Sequence, residues 1–127
     1  MRSPATGVDR GEAVVGYVIL VPVALFLVML GIQAAVYFHA ANIAQHAGAR
    51  AVTVASRRGA DASSGQREAQ IVVRDSGSVL VSASVSDGDL VRAVVSVRVD
   101  RVVPFFPGTV TRHAETPKER FVPEDER

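Results

Sequence analysis

His39 and His46 stand seven residues apart, and two imidazoles on one helical face could ligate a transition metal. Such a site needs a third donor, and no Cys and no nearby carboxylate supplies one. Polar residues on a solvated or interfacial helix face explain the pair better. Asp87 and Asp89 flank Gly88, where a carboxylate pair could in principle serve acid–base hydrolysis, but turn formation explains both. The serines at 82, 84 and 86 alternate with apolar residues, as the solvated side of a strand does and a nucleophile need not. No Gly-x-Ser-x-Gly elbow, Gly-rich phosphate loop, His-Glu-x-x-His or calcium loop occurs. The reading is therefore of a non-enzyme with no catalytic, cofactor-binding or metal-ligating residues.

The bulk composition points the same way. The chain has 127 residues, with 14 Lys+Arg against 13 Asp+Glu, a formal charge of +1, and neither Cys nor Trp. A nucleic-acid binder would be far more basic. The absence of Cys excludes a disulfide scaffold, Cys-ligated metal and thiol catalysis, while leaving an extracytoplasmic location open. The length suits one ordinary domain, or a smaller domain and something else.

The distribution of charge identifies that other part. Between Glu12 and Arg50 no side chain is formally charged, and residues 13–32 carry no polar side chain except the Tyr17 hydroxyl. About 20 such residues are needed to cross the ~30 Å hydrocarbon layer as a helix. Gln33 interrupts the run, and residues 34–38 resume it, so a transmembrane helix over 13–38 is expected, with residues 1–12 as a leader. Tyr17 and the Tyr37–Phe38 pair suit the two interfaces. A cleaved signal would have a shorter apolar run followed closely by a small-x-small site. A buried soluble helix would need more surrounding protein than the remaining chain provides. Pro22 inside the run tends to kink a helix, and Gly16 and Gly31 permit close approach of another.

Residues 39–58 are rich in alanine, the best helix former, and continue the helix beyond the membrane. Ala40, Ala44, Ala47, Gly48, Ala51 and Ala55 recur at three- and four-residue spacing, a smooth stripe for packing on a sheet or another helix. Arg57 and Arg58 suit the end of a helix dipole, and Gly59 can terminate it. Continuous from 13 to 58, the helix would be roughly 70 Å long.

Residues 59–127 are expected to form a small α+β head. Asp61, Ser63 and Ser64 are competent N-caps, and a short helix is predicted from Gln66 to about Ser76, stopped by Gly77. Val79, Val81, Ala83 and Val85 alternate with polar residues and Leu80, and Val91, Ala93, Val95, Val97 and Val99 do the same. These predict two strands, each with one buried face, joined by a turn at residues 86–89. A third strand is expected over 109–115, and the charged tail is expected to dock only through Phe121 and Val122. A three-stranded antiparallel sheet needs a cover, which the alanine stripe and the short helix supply. The predicted architecture is pilin-like: a long N-terminal transmembrane helix, a short second helix and a small antiparallel sheet.

Residues 9–51 resemble the N-terminal signature of TadE-like proteins, components of tight-adherence (Tad) pilus systems, in their actinobacterial form. The resemblance rests on Arg10–Gly11, Val21–Pro22, the Gly48–Ala49–Arg50–Ala51 run and Phe38–His39–Ala40, with Pro117–Lys118–Glu119–Arg120–Phe121 near the other end. It implies a membrane-anchored minor pilin (pseudopilin) that helps assemble a Tad/Flp-type pilus or related secretion apparatus. It also implies prepilin-type cleavage between Gly11 and Glu12. Pilin-type assembly usually involves a glutamate five residues after the cut, and Gly16 holds that position here. The implied partners are the lipid bilayer and other pilin-like subunits through Gly16, Pro22, Ala44, Gly48 and Ala51, with neither nucleic acid nor a small-molecule substrate. The implied topology is single-pass, with a cytoplasmic N-terminus and an external head. Charge flanking the span does not settle orientation. A single-pass binding module of the envelope unrelated to pili is the alternative.

Overall fold

The structure, a computed structural model, describes residues 9–119, so residues 1–8 of the expected leader and the docking of Phe121 and Val122 lie outside the described residues, while residues 9–12 already belong to the first helix. The chain runs α1 (Asp9–Ala55), α2 (Ala62–Asp75), β1 (Leu80–Ser86), β2 (Leu90–Arg98) and β3 (Thr109–Pro117). This is the expected α+β layout of one long helix, one short helix and a three-stranded antiparallel sheet in the order β1-β2-β3.

α1 has 47 residues, about 70 Å at ~1.5 Å per residue, and passes through Pro22 without ending. It stops three residues before the expected Arg58, so no basic residue lies in its last turn. Ser56 still donates its amide to Val52 O, and Gly59 takes a positive φ of 79° as the chain reverses. α2 starts at Ala62, four residues ahead of the expected Gln66. Asp61 is the reason: its carboxylate accepts from the Ser64 amide at 2.9 Å and the Ser63 hydroxyl at 2.9 Å, capping a helix that includes both serines and Gly65. At the other end Gly77, with φ +74°, turns the chain into the sheet.

The sheet lies along the outer half of α1. Ala44, Ala47, Ala51 and Ala55 are fully buried, as are Val91, Ala93, Val95 and Val97 of β2. Small residues on the helix let the backbone of α1 approach the valine face, whose burial contributes roughly 1.5–3 kcal/mol per fully buried valine. The other sheet face is polar, with Arg92 paired to Glu115 at 3.2 Å and Ser96 bonded to Thr111 at 2.8 Å across β2 and β3.

In β1 the simple alternation fails. Val85 and Ala83 face inward as expected, but Val79 and Val81 are about half exposed and Leu80 takes the inward place. The register shows the cause. Ala83 pairs with Val95 and Ser82 with Ser96, yet Leu80 pairs with Val97, so one residue is extra between Leu80 and Ser82. This bulge inverts the parity of everything before Ser82.

Candidate functional site

Among the described residues, exposed large hydrophobics concentrate on the first half of α1. Val15, Leu20, Leu25 and Leu27 are each about 60% exposed, and every large hydrophobic from Val14 to Met29 has open surroundings. α1 is long and apolar enough to cross a membrane. Gly16 and Gly31 have nothing near them, so neither is used for packing within the described residues, and the apolar surface around Pro22 is equally open. Gly11 is exposed in the first turn of α1, beside Glu12.

The transition from exposed to packed helix occurs at Gln33. This side chain is fully buried and closes a three-bond clamp. Its Oε1 accepts from the backbone amides of Val102 at 2.7 Å and Val103 at 2.9 Å, and its Nε2 donates to Asp100 O at 3.3 Å. A lone amide in an apolar helix demands such partners, because leaving them unmade costs several kcal/mol in hydrocarbon and about 1–3 in a protein interior. Val36 and Tyr37 pack against the core just above it. The head therefore grips α1 from Gln33 onward, five residues before the end of the span expected from apolarity alone.

That grip orients the sheet. The loop between β2 and β3, residues 99–108, lies at the Gln33 end, where Val99 donates to Gly108 O and Val103 is buried. The opposite end of the sheet meets the end of α1. There Glu119 donates its amide to Ser56 O, Lys118 donates its amide to Asp89 O, and the Lys118 ammonium is 2.6 Å from the Asp87 carboxylate. Asp87 thus holds the end of β3 as well as shaping the turn.

Of the residues expected to pack, Ala44, Gly48 and Ala51 are brought together under the sheet and α2. A Cβ on Gly48 would stand 3.3 Å from Ala114 Cβ. Their packing is within the chain, which leaves Gly16 and the apolar surface around Pro22 as the part of that set open to another molecule. Gly65 is the residue that spacing missed. A Cβ there would lie 2.7 Å from Ala51 O and 3.0 Å from Ala55 Cβ, so α2 touches the backbone of α1 at this point. His39 and His46 are both exposed on α1, and among the described residues no group of three His, Asp or Glu side chains converges.

Among the described residues the head carries shallow open depressions. One, of about 510 Å³, is lined by Arg98, Val99, Asp100, Arg101, Gly108 and Thr109 at the Gln33 end. Another, of about 460 Å³, lies over the middle of β2 and β3 beside Arg92 and His113. Comparisons with protein-family models, with curated proteins and with solved structures find no match to this chain.

Proposed function

We propose that this chain is a non-enzymatic, membrane-anchored minor pilin (pseudopilin) acting in assembly of a Tad/Flp-type pilus or related secretion apparatus. The observation that supports it is the division of α1. Residues 14–32 present apolar side chains all round, and the same helix continues without a break into a stripe that carries a folded head. Twenty residues, 13–32, match the ~30 Å hydrocarbon layer at ~1.5 Å per residue, and Gln33 then falls at its edge. A rigid helix that is anchor and stalk at once holds its head at a set height above the bilayer, which is what subunits need to pack side by side. The exposed face around Gly16 and Pro22 is the region offered to neighbouring helices, since Ala44, Gly48 and Ala51 are already occupied by the chain's own sheet and α2.

Two measurements test this. The full-length chain, expressed in a bacterial host, stays with the membrane through a carbonate wash; release into the supernatant overturns the anchor. In cells that possess a prepilin peptidase, the mature N-terminus determined by mass spectrometry is Glu12. An intact leader there refers the anchor to a single-pass envelope module outside the pilus class.

A further inference from the structure

The β2–β3 loop carries the most exposed large hydrophobic of the described residues. Phe105 is 86% exposed, Val102 beside it is 36% exposed, and the segment Val103–Phe106 is closed by a 3.2 Å turn bond from the Phe106 amide. Pro104 and Pro107 stiffen both flanks of the Phe105–Phe106 pair. An exposed phenylalanine on a constrained loop tip has no role in the core of the head. Its place along α1 supplies one: Gln33 ties the amides of Val102 and Val103 to the first position after the continuous apolar run.

We propose that this loop is a second membrane contact of the chain, with Phe105 entering the interfacial layer of the bilayer that α1 crosses. The inference rests on the membrane reading of α1 above. Depth follows from the clamp, because the loop sits level with Gln33 and residues 13–32 fill the hydrocarbon thickness. Backbone at that depth must have its polar groups satisfied internally, and the Gln33 amide does this for Val102 N, Val103 N and Asp100 O. Arg98 and Arg101 line the open depression next to the loop, with Asp100 between them. Neither guanidinium is ion-paired among the described residues, so both are placed to meet lipid phosphates while Phe105 sits below them. A helix crossing alone leaves the head free to rotate about the α1 axis; a loop at the surface fixes its tilt.

The chain has no tryptophan, so Phe105→Trp places a single reporter at the tip and Ser86→Trp places one at the far end of the sheet. Each full-length variant is reconstituted into phosphatidylcholine vesicles with and without phosphatidylglycerol, and flotation is measured on the same samples. The expected result is blue-shifted emission from position 105, quenched several-fold more by brominated acyl chains than by aqueous iodide. Position 86 should show the reverse. Vesicles that float with the protein while position 105 is quenched by iodide like position 86 overturn the loop contact and leave the anchor standing. A blue shift at 105 that persists in detergent without sensitivity to brominated lipid points to a protein neighbour and also overturns it. Protein that does not float at all removes the anchor and the loop contact together.

Discussion

The Oε1 atom of Gln33 accepts a 2.7 Å hydrogen bond from the backbone amide of Val102, 69 positions further along the chain. The same oxygen takes the Val103 amide at 2.9 Å. One side chain in an otherwise apolar stretch of α1 thus sets where the head begins and holds the only long loop between described strands against the stalk.

Gln33→Leu keeps the volume and removes all three bonds, leaving two inward-pointing amides unpaired. An unsatisfied buried donor costs about 1–3 kcal/mol, and the Val102 amide is only part-buried where the Val103 amide is buried, so a loss of roughly 2–4 kcal/mol is expected for the pair. Chemical denaturation of the full chain in nanodiscs measures it. Amide exchange at Val102 and Val103 should accelerate by orders of magnitude, whereas exchange at Val95 in mid-strand should accelerate only as far as the loss of global stability requires.

Gly65→Ala is a second discriminating change. In an open helix the substitution would gain up to about 1 kcal/mol from helix propensity. Here the new methyl would stand 2.7 Å from Ala51 O and 3.0 Å from Ala55 Cβ, both on a rigid neighbouring helix. Overpacking of that sort costs about 1–3 kcal/mol, so the net change is destabilising, and α2 should shift outward. Gly31→Ala meets nothing and should not destabilise the chain, with a gain of up to about 1 kcal/mol from helix propensity.

The bulge in β1 reverses an intuitive ranking. Read by alternation, Val81 belongs to the core and Leu80 to solvent; the register places Leu80 opposite Val97 and turns Val81 outward. Leu80→Ser should cost about 1–3 kcal/mol through lost apolar burial, while Val81→Ser stays within about 0.5. Equal losses at both positions in denaturant titrations would mean that the bulge is absent.

Asp61 makes the start of α2 sensitive to acid. The Ser64 amide, then the Ser63 hydroxyl, hold its carboxyl below the ordinary carboxylate range. A group whose folded pKa is depressed adds stability that is present above its unfolded value, near about 4, and is lost as pH falls through the folded value. Asp61→Ala should therefore lower the melting temperature at pH 7, and the gap between variant and parent should close below about pH 4. A gap that is constant from pH 7 to pH 2.5 would show that the charge contributes nothing.

What the residues disclosed and what they hid divides along physical lines. The long apolar helix was readable from an unbroken apolar run, and the alanine stripe and the β2 face because burial imposes a period on them: Ala44, Ala47 and Ala51 on one helical face, Val91 through Val97 on alternate positions. The Asp61 cap was readable as chemistry, though not as the choice among Asp61, Ser63 and Ser64. The bulge at Val81, the close approach at Gly65 and the clamp at Gln33 were not, because each depends on a partner distant in sequence. Gln33 did leave a trace. A single amide inside 26 residues of apolar sequence has to find hydrogen-bond partners, and its isolation pointed to a tertiary contact without naming it.

The same clamp decides how the head can be separated from the exposed apolar half of α1. A cut that follows apolarity alone, removing residues 1–38, discards Gln33 together with Val36 and Tyr37, which pack against the core. A chain beginning at Gln33 retains all three and loses only residues whose side chains are exposed or partly exposed in the described part of α1. The Gln33-initiated head should therefore be soluble, fail to co-sediment with vesicles as an integral protein does, and unfold in one cooperative transition. The His39-initiated head should be less stable by about 2–4 kcal/mol or more, since the Val102 and Val103 amides lose their acceptor. Circular dichroism melts of the two heads side by side, with the full chain in nanodiscs as reference, measure the difference. Equal melting temperatures would place the lower edge of the head at His39 and move the membrane boundary up with it; aggregation of the Gln33-initiated head alone would mean that residues 33–38 belong in lipid.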